Sequence, residues 1–373
     1  MRVVIAGGGS GGHLYPGLAL AEELQKKFGA EIMFIGTEKG IESRVVPREG
    51  YPITFLPAEG VMGKTAFRKL RAAVKLARSI IGAKRLFDTF EPDIVVGTGG
   101  YVSVGPVLSA RLLSIPVLIM EQNVVPGAAN RLLARISGAV AATYMESTGY
   151  FPKGRTYLTG NPVRAGILSA RKEESFGLFG LAPEGFFTVL VFGGSSGSTN
   201  INKAVTEGLS HLADLRERLQ FLHQCGNRDY NAVREAYRGQ GFKAMVTPFI
   251  FQMAEAYAVA DMVISRAGAT TLAELTALGK PAVLVPYPHA GAHQEFNARK
   301  LEEFGAARLI MDEDLSGQLA AREIRFLMES EAERTEMAGR SRSVGRPDAA
   351  QRTAELVQSL IRMKGSVRNV QTV

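Results

Sequence analysis

Residues 1–17 read MRVVIAGGGSGGHLYPG: a short apolar strand that runs into five glycines, a serine and a histidine. Residues 7–12, GGGSGG, match G-x-G-x-x-G, the turn that carries a dinucleotide pyrophosphate from a strand into a helix. That fingerprint also asks for an acid about 20 residues on, at the end of the second strand, to hold a ribose. Glu38 in FIGTEKG lies somewhat far along for that role. Two readings therefore stand at this point: a nicotinamide or flavin site, or a loop for another phosphate-bearing ligand. His13, directly after the glycines, is assigned by neither reading at this point.

Outward from this stretch, strand and helix signals alternate: RVVIAG, LALAEELQKKF, EIMFIG, a basic helix, PDIVVG, VGPVLSARLL, PVLIMEQ, ANRLLARI, AVAATY. Short β-rich runs separated by helical patterns predict a parallel sheet with helices on both faces. Near residue 160 the pattern restarts. TGNPVRAGILSARKEES leads to FFTVLVFGGSSGSTNINKAVTEGL, a second apolar strand that ends in glycines and opens a helix. The chain is thus expected to form two α/β domains, each bringing backbone close to an anionic ligand at a helix N-terminus. One dinucleotide needs one such loop, so the second weakens the dehydrogenase reading. A third loop, GTGGYVS at 97–103, follows another apolar strand and is expected on the same side as the first.

The chain has 373 residues, 46% apolar and 21% charged, as expected of globular domains with their own cores. No secretory signal or membrane span is visible, and the single cysteine, Cys225, excludes an intrachain disulfide. A cytosolic setting is expected. The net charge of +8 points to a polyanionic partner. Residues 60–87 carry eight Lys/Arg and no acid, with Phe67, Leu70, Val74, Ala77, Ile80 and Ile81 at helical spacing. This reads as a basic amphipathic helix on an anionic membrane surface, or as a helix whose stripe faces the core. Interleaved aromatics and recognition motifs for nucleic acid are absent.

The richest cluster is SRAGATTLAELTALGKPAVLVPYPHAGAHQEFNA, 265–298. Gly268 ends a strand, Thr270 and Thr271 open a helix, and Glu274 follows. A helix start with hydroxyls can hold a diphosphate, and a carboxylate can accept from both hydroxyls of a ribose. The competing reading is a capping box. His289, His293, Gln294 and Asn297 then form a polar run able to hydrogen-bond sugar hydroxyls.

Taken together, GGGSGGHLYPGLALAEEL, TGGYVSVGPVL, EQN, TGNPVR, GGSSGS and GATTLAEL…PYPHAGAHQEFNA resemble the GT-B glycosyltransferases. The chain is most similar to the family that adds N-acetylglucosamine to lipid I in bacterial peptidoglycan synthesis. The ordered motifs span essentially the whole chain. The resemblance implies two Rossmann-like, doubly wound parallel-sheet domains facing a central cleft. It implies an acceptor and membrane-contact domain, 1–163, completed by a C-terminal helix, 345–363. A donor domain, 164–344, and a polar tail, 364–373, would follow.

Carried over residue by residue, the resemblance gives Glu274 the ribose and Ala269, Thr270 and Thr271 the diphosphate of UDP-GlcNAc. The backbone of Ile250 would meet the uracil edge, and Gln294 the GlcNAc hydroxyls, beside His293 and Asn297. Arg164 and Ser195 would touch the nucleotide, with Asn123 counted among the donor contacts. Asn202 and Arg266 match further polar positions near the donor. On the acceptor side Ser10, Gly11, Gly12, Gly99 and Gly100 would cradle the lipid diphosphate. Tyr101 and Asn130 would face the cleft. The reaction implied is inverting: the acceptor C4 hydroxyl displaces UDP, with His13 as base and Glu121 as its rival. No cofactor and no essential metal are expected. Asp312-Glu313-Asp314 reads as helix capping rather than as a metal site. An enzyme with a polyprenyl-linked acceptor is expected at the cytoplasmic face of the plasma membrane, bound peripherally through 60–87. Ser196, Ser198 and Met120 stand where the family carries glutamine, alanine and often histidine. The alternative within the fold is another UDP-sugar enzyme, a glycolipid glycosyltransferase or a UDP-GlcNAc 2-epimerase.

Overall fold

The computed structural model describes residues 1–59, 66–288 and 293–370. Residues 60–65 of the basic segment and His289 fall outside these, as do the side chains of Phe67 and Leu70. The chain divides into two units, Met1–Arg164 with the chain from Asp348 onward, and Ala165–Pro347.

In the first unit the order is β1 (Arg2–Gly7), α1 (Gly11–Phe28), β2 (Glu31–Gly36), α2 (Glu42–Arg48) and β3 (Ile53–Phe55). It continues with α3 (Ala66–Phe90), β4 (Ile94–Gly99), α4 (Val104–Leu112), β5 (Val117–Glu121), α5 (Ala128–Leu133), β6 (Ala139–Ala142), α6 (Met145–Thr148) and β7 (Thr156–Leu158). The second unit holds α7 (Ala165–Ser169), α8 (Lys172–Phe179), β8 (Phe187–Phe192), α9 (Thr199–Gly208), β9 (Leu219–Gln224), α10 (Gly226–Gly239) and β10 (Lys243–Thr247). After these come α11 (Met253–Val259), β11 (Met262–Ser265), α12 (Ala269–Leu278), β12 (Ala282–Leu284), α13 (His293–Glu303), β13 (Arg308–Leu309), α14 (Gly317–Glu329) and α15 (Glu331–Val344). The last helix, α16 (Ala349–Val370), returns to the first unit.

Among the described residues each unit has one parallel sheet, in the orders β3-β2-β1-β4-β5-β6-β7 and β10-β9-β8-β11-β12-β13. Both orders reverse direction at their first strand, β1 and β8, where an open α/β sheet leaves a crevice at its carboxyl edge. The loops after β1 and β4 meet at one such point, and those after β8 and β11 at the other.

Successive residues of β1 enter opposite cores, as the pleat demands. Val3 and Ile5 pack with Leu14, Leu18 and Leu24 of α1 and Ala354 and Val357 of α16. Val4 and Ala6 pack with Ala83 and Phe87 of α3, Val107 of α4 and Leu133 of α5. A 2.7 Å ion pair, Lys27–Glu355, adds to the seam between α1 and α16. Residues 364–370, expected as part of a polar tail, continue α16. Once packing has nucleated a helix, each further turn needs no new nucleus.

Candidate active site

In the first unit two glycine turns converge on His13. Gly9 (φ 80°), Gly99 (φ 110°) and Gly100 (φ 73°) take left-handed backbone that other residues rarely adopt. Ser10 opens α1, its carbonyl accepting from the N–H groups of His13 and Leu14 at 3.2 Å each. That places His13 in the first turn of α1, beside Gly11 and Gly12, with its ring across Gly99 and Gly100. A Cβ on Gly99 would lie 2.7 Å from His13 Nδ1. His13 Nδ1 is 3.1 Å from the Thr98 carbonyl, which also accepts from Gln122 Nε2 at 2.9 Å. A carbonyl can only accept, so Nδ1 carries the proton and Nε2 is the basic nitrogen of the neutral ring. The exposed Tyr101 brings its hydroxyl within 3.6 Å of where a Gly9 Cβ would stand.

Glu121, at the end of β5, is only 2% exposed. Its Oε1 accepts from Asn123 N (2.9 Å) and Asn123 Nδ2 (3.0 Å), its Oε2 from Gly127 N (3.2 Å) and Asn130 Nδ2 (2.9 Å). Four donors pin this carboxylate as the brace of the loop 122–127. Asn123, counted with the donor contacts, gives its backbone N–H and its Nδ2 to that brace. Met120 is core, and its carbonyl accepts from Asn130 Nδ2. Arg164 belongs to this unit, its guanidinium 4.5 Å from the centre of the Tyr15 ring.

In the second unit Glu274 is buried on α12 and its Oε2 accepts from Tyr257 Oη at 2.9 Å. The N-cap of α12 is Gly268, which has no side chain to offer, so the capping-box reading fails. The positive end of α12 is left to Ala269, Thr270 and Thr271. Gln294, on the first turn of α13, accepts from Tyr287 N at 3.0 Å, and His293 opens the same helix. Ser195 is exposed on the loop after β8.

Several expected contacts lie inside the fold. Ile250 N donates to Gln224 Oε1 at 3.1 Å, and Gln224 Nε2 donates to the Gly194 carbonyl at 2.7 Å, so this glutamine ties the glycine loop to the turn at 250. Asn297 is fully buried. Asn202 is buried too, its Nδ2 on the Cys225 carbonyl and Asp229 Oδ2 (2.8 Å each), its Oδ1 facing His223 Nε2 at 3.0 Å. His223 Nδ1 meets Tyr237 Oη at 3.0 Å, and burial pulls the histidine pKa down to about 3. The polar atoms of Asn202 are thus taken up by Cys225, Asp229 and His223.

Arg266 is a structural hub. Its guanidinium donates to the Val285 and Pro286 carbonyls and to Ser198 Oγ, and is paired with Asp312. Asp312, expected as a cap, serves that ion pair and accepts from Asn200 Nδ2 at 2.7 Å. The cap of α14 is Ser316, whose Oγ accepts from Leu319 N. Ser198 caps α9. Among the described residues no cluster of His, Cys, Asp or Glu could hold a metal ion, and no helix is long and apolar enough to cross a membrane.

The N-terminal domain profile of glycosyltransferase family 28 matches residues 3–142, and its C-terminal domain profile 188–353. A UDP-N-acetylglucosamine–N-acetylmuramyl-(pentapeptide) pyrophosphoryl-undecaprenol N-acetylglucosamine transferase of Thermodesulfovibrio yellowstonii is 49% identical over 366 residues, 98% of this chain and 100% of its own. The crystal structure of Acinetobacter baumannii MurG superposes with a TM-score of 0.74 at 32% identity, covering 96% of this chain and 99% of that one. The chain belongs to the MurG family. Its two units are therefore the two domains of a GT-B glycosyltransferase. A UDP-GlcNAc 2-epimerase of Neisseria meningitidis, solved with UDP-GlcNAc, shares this fold at a TM-score of 0.71 and 15% identity, with 96% and 100% coverage. At that identity the likeness is one of fold alone.

Beyond the residues given roles by the family resemblance, the structure adds Thr98, Gln122, Gln224 and Tyr257. Thr98 and Gln122 stand inside the TGGYVSVGPVL and EQN motifs. Tyr257 lies in AEAYAVA as one more residue of an apolar helix face, with nothing local to mark its partner.

Proposed function

We propose that this enzyme transfers GlcNAc from UDP-GlcNAc to the C4 hydroxyl of MurNAc in lipid I, giving lipid II. The observation that carries the mechanism is His13, seated where both glycine turns meet and held through Nδ1 so that Nε2 is the basic nitrogen. The acceptor hydroxyl oxygen attacks the anomeric carbon, its proton passes to His13 Nε2, and the C–O bond to UDP breaks with its electron pair leaving on the diphosphate. Inversion follows from the single in-line displacement. Glu121, with four donors on its two oxygens, acts by holding the loop 122–127 and not as the base.

The diphosphate of lipid I rests on Ser10–Gly12 and Gly99–Gly100. The N-terminus of α12, with Ala269–Thr271, takes up charge on the leaving UDP, and no step passes through a metal. Glu274, steadied by Tyr257, holds the ribose, and Gln294 the GlcNAc hydroxyls. Arg164 and Ser195 meet the nucleotide.

The enzyme works peripherally at the cytoplasmic face of the membrane through α3. Ala72, Ser79, Ala83 and Phe87 form its buried face, which turns Val74 (45% exposed) and Ile81 (55% exposed) outward among Arg78, Lys84 and Arg85. On the adjoining helix α4, Leu112 is 76% exposed. An outward apolar stripe flanked by cations suits an anionic lipid surface.

Transfer of labelled GlcNAc to a short-chain lipid I analogue tests the reading. Wild type transfers, His13→Ala loses turnover, and Glu274→Ala loses donor affinity. Turnover of UDP-GlcNAc without transfer would overturn the acceptor, and full activity of His13→Ala would overturn the base.

A further inference from the structure

Glu42 plays no part in the chemistry above, yet it is fully buried against the first glycine loop. Its Oε2 accepts from Gly9 N at 2.8 Å, and its Oε1 accepts from Thr37 N at 2.9 Å and Thr37 Oγ1 at 2.8 Å. Three glycines make room for it, since a Cβ on Gly8, Gly36 or Gly40 would collide with its side chain. Burying a carboxylate is costly unless donors replace its water, and here two loops supply them. One loop is the glycine turn after β1; the other, residues 37–40, follows β2. Gly8 and Gly9, at φ 153° and 80°, give the turn no local reason to keep one shape. The restraint comes from a residue 33 positions away on α2.

We propose that Glu42 is the positioning residue of the acceptor loop, fixing the peptide at Gly9 so that Ser10–Gly12 meet the lipid diphosphate already in shape. The inference rests on the reading of this loop as the acceptor's. A loop held in its binding conformation spares the ligand the entropy of ordering it. The hydrogen bond to Gly9 spends one backbone donor to fix those that follow. Glutamine at 42 keeps the shape but offers an N–H where one oxygen stood, so it can serve Gly9 or Thr37, not both.

The experiment is steady-state transfer by the full chain, with UDP-GlcNAc and the short-chain lipid I analogue varied in turn, for wild type, Glu42→Gln and Thr37→Val. Glu42→Gln is expected to raise the acceptor KM at least tenfold with the donor KM within twofold. Thr37→Val, which removes one tether and keeps the carboxylate and both backbone donors, is expected to raise the acceptor KM two- to fivefold. A merely structural role would reduce the folded fraction, lowering apparent kcat and leaving both KM values unchanged; that result overturns the proposal. A rise confined to the donor KM overturns it by a different route, showing that the loop serves the nucleotide. If Glu42→Gln does not yield folded protein, Thr37→Val decides, and an unchanged acceptor KM overturns the proposal.

Discussion

Replacing Glu121 by Gln separates a structural brace from a catalytic base. The carboxylate accepts four hydrogen bonds in a site 2% exposed to solvent. An amide puts NH2 in place of one oxygen, so two donors lose their acceptor: both from Asn123, or Gly127 N with Asn130 Nδ2. Hydrogen bonds to a charged group contribute about 1.5–3 kcal/mol each, which makes the gross loss about 3–6 kcal/mol. Removing a buried charge returns part of this, leaving a net loss of about 3 kcal/mol. For a domain of this size each kcal/mol moves Tm by about 2–4 °C, so the first domain is expected to melt about 6–12 °C lower. Calorimetry of the full chain reads that shift in one of two domain transitions. Below it, turnover is expected to fall less than about tenfold, whereas His13→Ala loses on the order of 10²–10⁴ with little change in Tm. A Glu121→Gln protein that melts within about 1 °C of wild type, by the same scale, yet loses a hundredfold or more in turnover would refute the assignment and make Glu121 the base.

Tyr257→Phe removes the hydroxyl on Glu274 Oε2, and a donor KM raised about tenfold, or about 1.4 kcal/mol, is expected with the acceptor KM unchanged; an unmoved donor KM counts against the pairing. His223 has its folded pKa pulled down to about 3, so below its unfolded value of about 6.5 the unfolded chain binds the extra proton and stability falls with pH. The second domain is expected to lose about 2 kcal/mol from this group between pH 7 and pH 5, measured by urea unfolding against His223→Gln; equal pH slopes for the two proteins would refute it. Transfer is expected to survive chelation, and loss of turnover restored by one divalent ion would place a metal in the reaction. Vesicle flotation should show binding that needs anionic lipid and weakens with salt, and salt-independent binding would exclude the basic face of α3.

The stripe on α3 shows how a correct pattern can leave its orientation open. Val74 and Ile81 recur at helical spacing, and spacing alone cannot say whether the sheet or the solvent receives them. In the structure Ala72, Ser79, Ala83 and Phe87 take the inner face, because the neighbouring α4 and the sheet leave room there for small residues and one ring. In the same way Thr270 and Glu274 have capping-box residue types, but Gly268 already occupies the N-cap, and Glu274 turns to Tyr257.

What the sequence by itself determined was local: apolar strands that end in glycines, helices that follow them, and the restart near residue 160 that makes two domains. Those signals sit within a few residues of one another, and the backbone conformations they demand are decided by the residues that carry them. Tertiary structure alone decided which polar groups face one another. His13 finds the Thr98 carbonyl across 85 residues, and Gly9 finds Glu42 across 33. Of the acids in TEKGIES, Glu38 is exposed and Glu42 fully buried, though nothing in the string distinguishes them. A buried carboxylate is tolerable only where donors from separate loops converge, and that convergence exists only once the parallel strands have brought their carboxyl ends side by side.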